Sequence, residues 1–241
     1  MNITVINGTE QKGCTFAMKE AFILAMGDGH NITEYFLPRD CPVFCTGCKA
    51  CFYQDIRVCP NSQYTVPIWE SILDADLLVI TSPTYVFHVP GQLKALLDHF
   101  ATKWMAHSPE TQMFSKQAVI ITNAIGKGMD KTAKDIKDSV DFWGVARTFV
   151  IKQPLFSTDW NIVADKHKAA IQKRCRKIAA KIIGRKYVTP RVKIRGLFFV
   201  MKIAQIMVDK AERKAGRART KDYLHWQENG WLNGKKPWKD R

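Results

Sequence analysis

Residues 77–81, Leu-Leu-Val-Ile-Thr, form a short, uninterrupted apolar run with Asp74-Ala75-Asp76 before it and Ser82-Pro83-Thr84 after it. A run of this length without polar alternation suits a strand covered on both faces, and such strands belong to parallel sheets whose crossover helices lie on both sides. The surrounding sequence keeps the same rhythm. Strands are expected at residues 3–6, 32–36, 77–81, 118–122 and 148–151. Helical periodicity fills residues 15–26, around 67–73, 90–100, 131–142 and 165–183, with Pro90 tolerated in a first helical turn.

Five strands alternating with helices fit an α/β class: a flavodoxin-like, doubly wound parallel sheet of order 2-1-3-4-5. The 241 residues suit one such domain with an appendage. The expected division is residues 1–185 for the sheet domain, with a cysteine-rich insertion at 41–62, and residues 186–241 for a helical extension.

Five of the seven cysteines fall between Cys41 and Cys59, and four of them read Cys45-x2-Cys48-x2-Cys51-x7-Cys59. Three thiolates two residues apart can point inward from one tight loop, and a fourth from a short excursion completes the shell of a four-iron four-sulfur cluster. Gly47 and Pro60 fit a turn-rich loop. A zinc site, or free thiols in a reducing cell, are the alternatives the spacing leaves open. Cys41 and Cys175 lie outside the motif and are read as packing residues.

Charge separates the two parts. Residues 1–165 carry 14 Lys and Arg against 17 Asp and Glu, a net −3, whereas residues 166–241 carry 23 against 5, a net +18. No secretory signal opens the chain and no apolar stretch reaches the 18 or so residues of a membrane span, so seven cysteines point to a reducing, cytoplasmic setting. Residues 191–208 are apolar around most of a helix's circumference and must be covered. The cover expected is a second subunit, in a homodimer or higher homo-oligomer that buries Leu197, Phe198, Val200, Met201, Ile203 and Ile206 and brings Trp226 to Trp231 near the partner's cysteine loop. Packing on the chain's own domain and peripheral contact with a membrane through the basic tail are the alternatives. Nucleic acid is not the partner expected.

In a sheet of this order, ligands bind beyond the carboxyl ends of the strands, where the winding reverses. After the first strand comes Asn7-Gly8-Thr9-Glu10-Gln11-Lys12-Gly13-Cys14-Thr15, a glycine- and hydroxyl-bearing turn before a helix, suited to hold a phosphate on backbone amides. After the third strand the chain reads Ser82-Pro83-Thr84-Tyr85-Val86-Phe87-His88-Val89-Pro90-Gly91-Gln92-Leu93-Lys94, and after the fourth Asn123-Ala124-Ile125-Gly126-Lys127-Gly128. These loops together resemble the NAD(P)H-dependent FMN reductase family. With the compact cysteine motif they resemble more narrowly the iron-sulfur flavoproteins.

The resemblance covers roughly residues 1–185 and implies an FMN-dependent oxidoreductase. Electrons would come from NAD(P)H or a reduced protein donor and pass through flavin, with a cluster on Cys45, Cys48, Cys51 and Cys59, to a small-molecule or protein acceptor. Thr9, Lys12, Gly13, Cys14 and Thr15 would cradle the FMN phosphate; Pro83, Thr84, Tyr85, Val86 and Phe87 would wall the ring; Asn123, Ala124, Gly126 and Gly128 would let the third loop approach its edge. His88 and His99 are read as structural or solvent-facing rather than as proton donors. Cys14 is read as an inert small residue, against a helix-activated thiol. Two further readings remain: an electron carrier without a nicotinamide site, and a zinc-stabilised binding protein with a basic tail.

Overall fold

The structure, a computed structural model, describes residues 1–185 and 187–239. Its centre is a five-stranded parallel sheet of order β2-β1-β3-β4-β5, the order expected from the sequence. The strands are β1 (Asn2–Asn7), β2 (Asn31–Phe36), β3 (Leu77–Pro83), β4 (Gln117–Ala124) and β5 (Arg147–Pro154). Between and after them run α1 (Cys14–Met26), α2 (Ala50–Tyr53), α3 (Ser62–Asp74), α4 (Gly91–His99), α5 (Met129–Phe142) and α6 (Asp165–Ile183). Two further helices follow, α7 (Val192–Lys214) and α8 (Lys221–Glu228).

The period of two along each strand divides the core. Leu78 and Ile80 of β3 and Ala118 and Ile120 of β4 point to one face, where α3, α4 and α5 contribute Ile68, Leu93, Leu96, Ile136 and Val140. Leu77, Val79, Val119 and Ile121 point to the other, where α1 and α6 supply Met18, Phe22, Ile171 and Ile178. Both faces of the central strands are therefore dry, which is why β3 and β4 read as continuous apolar runs rather than alternations.

The helix expected around residues 67–73 starts five residues earlier, and Pro67 lies inside α3. Proline there removes only the amide that would bond one turn back, and burial of Thr65, Ile68, Trp69 and Ile72 outweighs that single lost bond.

The tail folds onto its own chain. Ile194 and Phe198 of α7, with Trp226 of α8 and Trp231 beyond it, bury themselves against Met105 and Phe114 from the segment between α4 and β4. Phe198 stacks on Trp226 with ring centres 4.7 Å apart. Polar contacts fix the register: Trp226 Nε1 donates to the His107 carbonyl at 3.0 Å, Gln205 Nε2 to the Ala106 carbonyl at 2.7 Å, and His107 Nδ1 pairs with Asp222 at 2.8 Å. The burial expected against a second subunit is thus divided. Phe198 is covered within the chain and Leu197 and Met201 pack at the edge of that cluster, while Val200, Ile203 and Ile206 stay exposed. Proximity to the cysteine loop, expected across a dimer, occurs within one chain: Lys221 Nζ donates to the Cys51 carbonyl at 3.1 Å.

Candidate active site at the carboxyl edge of the sheet

Loops leaving the carboxyl ends of β1, β3, β4 and β5 enclose a cavity of about 440 Å³. The first contributes Thr9, Gln11, Gly13, Cys14 and Thr15, the second Pro83, Thr84, Tyr85 and Val86, the third Asn123, Ala124 and Ile125, and the fourth Ser157 and Thr158. The volume lies within the range of small-molecule sites, about 300–1,000 Å³.

The first loop must press on β3. The Gly8 amide donates to the Thr81 carbonyl at 2.8 Å, and a Cβ on Gly8 would stand 2.7 Å from the same oxygen. The chain then enters α1 at Gly13 with no side chain capping the helix. Amides of that first turn, at the cavity-lining residues Gly13, Cys14 and Thr15, can therefore serve an anion, reinforced by the positive end of the helix dipole. Thr15 Oγ1 donates to Asn123 Oδ1, tying the helix start to the end of β4. Burial, and next the Asp159 carboxylate, push the Cys14 thiol up, so it stays protonated; it donates to the Ser157 carbonyl at 3.5 Å.

The second loop is a tight turn in which the Tyr85 and His88 amides each donate to the other's carbonyl at 2.9 Å. Val86 and Phe87 hold φ of 48° and 69°, a left-handed pair that bulky side chains avoid. Neighbours hold the strained turn in place. The Thr84 amide donates to the Asn123 carbonyl at 2.9 Å, and Thr132 Oγ1 donates to Thr84 Oγ1 at 3.0 Å. Gly128, at φ 103°, lets the third loop close on this turn, since a Cβ there would lie 2.8 Å from Phe87 Cδ1 and 2.9 Å from Thr84 Cγ2. The fourth loop arrives because strand-like pairing continues past β4: the Leu155 amide donates to Ala124 at 3.0 Å and Phe156 to Ile125 at 3.1 Å.

Of the residues expected to hold the cofactor, Thr9, Gly13, Cys14, Thr15, Pro83, Thr84, Tyr85, Val86, Asn123 and Ala124 line the cavity. Lys12, Phe87, Gly126 and Gly128 do not. The Lys12 ammonium lies over the rings of Phe16 and Phe36, 5.4 and 5.9 Å from their centres. Phe87 turns toward Gly128 and lies 5.6 Å from the Lys131 ammonium. Gln11, Ile125, Ser157 and Thr158 were not anticipated. The signal for the last two was a Ser-Thr pair three residues beyond the fifth strand, at the same sheet edge as the other three loops. His88 Nδ1 pairs with Asp135 at 2.9 Å, and burial pulls the His99 ring down toward its neutral form; neither lines the cavity.

The four-thiolate shell is not assembled. Among the described residues no three His, Cys, Asp or Glu side chains stand together as a metal-holding group. Residues 41–49 run irregularly, leaving Cys45 and Cys48 exposed, while Cys51 sits on the short α2 and Cys59 follows a separate turn. The thiols still sense one another: burial first, then Cys59, Cys45 and Cys48, push the Cys51 thiol up. No electron step is routed through a cluster below.

The sheet order and the cavity at the point where the winding reverses define a flavodoxin-like protein. Residues 1–160 match the family described as NADPH-dependent FMN reductase, and the chain belongs to that family. An iron-sulfur flavoprotein of Methanosarcina thermophila is 32% identical over 100 residues, 41% of this chain and 51% of that protein. An FMN-dependent NADH:quinone oxidoreductase of Photorhabdus laumondii subsp. laumondii is 38% identical over 58 residues, 22% of this chain and 29% of that protein. The matched stretches thus span about half the length of the first relative and under a third of the second. Among solved structures, an azoreductase from Bacillus anthracis str. Sterne superposes with a TM-score of 0.57 at 14% identity, over 75% of this chain and 99% of that one, and shares the fold.

Proposed function

We propose that this chain binds FMN noncovalently in the cavity and carries electrons from NAD(P)H to a flat, apolar acceptor of the quinone class. The observation that carries the reading is the uncapped start of α1, which opens into a cavity whose other walls include the apolar side chains of Pro83, Val86, Ala124 and Ile125. A phosphate would sit on the amides of Gly13, Cys14 and Thr15, and the backbone of Thr84 and Tyr85 would meet the ring edge. Bound FMN supplies a ring that accepts a hydride and releases electrons singly or in pairs.

The protein's own part is orientation. Among the lining residues only Cys14 and Tyr85 carry titratable side chains, and Cys14 is held as a thiol. Tyr85 and Ile125 are exposed at the rim, an apolar surface on which a flat acceptor can stack. The quinone class is favoured by that surface and by the relative described as an NADH:quinone oxidoreductase.

The test is anaerobic reduction of the FMN-loaded protein by NADH and by NADPH, followed by a soluble benzoquinone. The expected result is rapid flavin bleaching by at least one nucleotide and rapid reoxidation by the quinone. Flavin that neither nucleotide reduces would leave an electron carrier without a nicotinamide site. Gly13→Glu places a carboxylate against the phosphate and should abolish FMN binding. Gly13→Ala should retain it, since its Cβ would meet only the Thr158 carbonyl at 3.5 Å and the Gln11 side chain at 3.9 Å.

A further inference from the structure

Helix α7 has two faces, and the fold uses only one. Ile194, Phe198, Gln205 and Asp209, spaced by four or seven residues, are buried on the inward side. The opposite side carries Val192, Phe199, Val200, Ile203, Ile206 and Met207, all exposed, with Val192, Phe199 and Met207 at 84%, 60% and 66% of full exposure. Spacings of three, four and seven residues set them on one side of the helix over about 22 Å. Isolated exposed apolar residues need no account, but a contiguous stripe of this kind marks a surface built to be covered.

Charge identifies the cover. Lys193, Arg195, Lys210, Arg213 and Lys214 border the stripe or extend its carboxyl end; Lys193 pairs with Asp141 at 2.7 Å, and no acidic residue of the helix itself shares that side. The only acids of the helix face inward and are paired, Asp209 with Arg219 at 3.3 Å and Glu212 with Arg217 Nη2 at 2.9 Å. A second copy laid on the same face would bring two segments of net +18 together. An anionic surface would instead be drawn to them. No helix among the described residues is long and apolar enough to cross a membrane, so the helix would lie in the plane of the lipid head groups, apolar stripe inward and cationic border on the phosphates.

We propose that the outward face of α7 docks the protein on anionic lipid bilayers. The proposal stands apart from the flavin reading, because none of these residues lines the cavity. It is tested by sedimenting the full-length protein with vesicles of phosphatidylcholine alone, and with vesicles of equal parts phosphatidylcholine and phosphatidylglycerol. The expected result is binding to the mixed vesicles at low salt, weaker by roughly tenfold or more on phosphatidylcholine alone. High salt should weaken it similarly by screening the attraction.

A Phe199→Ser, Ile203→Ser, Met207→Ser variant should lose roughly tenfold or more in binding. Its thermal unfolding should be unchanged, because all three side chains are exposed. No binding to the mixed vesicles, equal binding to both kinds, or full binding by the triple variant would each overturn the proposal. So would light scattering that shows a stable dimer which the triple variant dissociates, for a second copy would then be the cover.

Discussion

Gly128 shows how one residue can hold two loops of the site together. Its φ of 103° suits glycine alone, and a Cβ would press on Phe87 and Thr84, including Phe87 Cα at 3.1 Å. Gly128→Ala should therefore cost about 1–3 kcal/mol and weaken flavin binding by loosening the Tyr85–His88 turn. Gly126→Ala should be close to neutral, since nothing lies within 4 Å of its Cβ position. Chemical denaturation and flavin titration of both variants check the contrast. The sequence marked both glycines alike, as permissive residues in a loop. Only the placement of Phe87 against one of them separates their roles.

Lys116 is a second residue whose behaviour depends on placement. Its ammonium donates to the carbonyls of Leu73 and Ala75, both at 2.5 Å, and burial pulls its pKa from 10.5 down to about 8, against the opposing pull of Asp76 and Asp74. Between those two values the unfolded chain binds more protons than the folded one, so stability rises with pH across the window from about 8 to 10.5. Lys116→Met lacks this titration. The stability of the parent relative to Lys116→Met should climb across the window by, at most, on the order of 3 kcal/mol. A difference that is flat or falling with pH would show that Lys116 keeps an ordinary affinity for its proton.

At the scale of elements, periodicity gave the sheet and most of its helices, because burial on both faces leaves long, unbroken apolar signals. The expected helix at 165–183 coincides with α6, and strands expected at 77–81 and 118–122 lie within β3 and β4. The misses have local causes. Strand ends extend past the apolar runs, to Pro83 and Ala124, because ladder pairing with neighbours continues there without needing apolar side chains. The fourth cavity loop escaped notice for the same reason, since backbone pairing after Ala124 and Ile125 carries Ser157 and Thr158 to the site.

The tail reads as apolar around most of its circumference, but periodicity does not say which stripe the chain covers itself. Only Met105 and Phe114, remote in sequence, decide that Phe198 and Trp226 face inward. Trp226→Ala should remove a fully buried ring and its bond to His107, costing about 3–5 kcal/mol, whereas Phe199→Ala on the outward side should change stability by less than about 0.5 kcal/mol. Equal effects of the two changes in denaturant unfolding would contradict the assigned orientation of α7.

At the scale of the whole molecule, the acidic sheet region and the basic tail are joined through a cluster that neither forms alone. Deleting residues 187–239 and beyond would uncover Met105 and Phe114, both fully buried in the intact chain. The truncated protein should keep the far-ultraviolet signature of the sheet but aggregate, and should still take up FMN, because the cavity draws on residues 9–158 only. Loss of flavin binding with the sheet intact would mean that the tail shapes the site. The cysteine motif illustrates the limit of reading spacing as coordination. The ligand spacing places Cys51 on α2 and Cys59 beyond the following turn, and among the described residues the four thiols do not stand as one metal-holding group.

The central claim is that the cavity at the carboxyl edge of the sheet is an FMN site, and flavin titration of the purified protein tests it most directly. The account predicts saturation at one FMN per chain, with binding abolished in Gly13→Glu and retained in Gly13→Ala. A well-folded protein that takes up no FMN, or that binds it equally well as Gly13→Glu, would contradict the account.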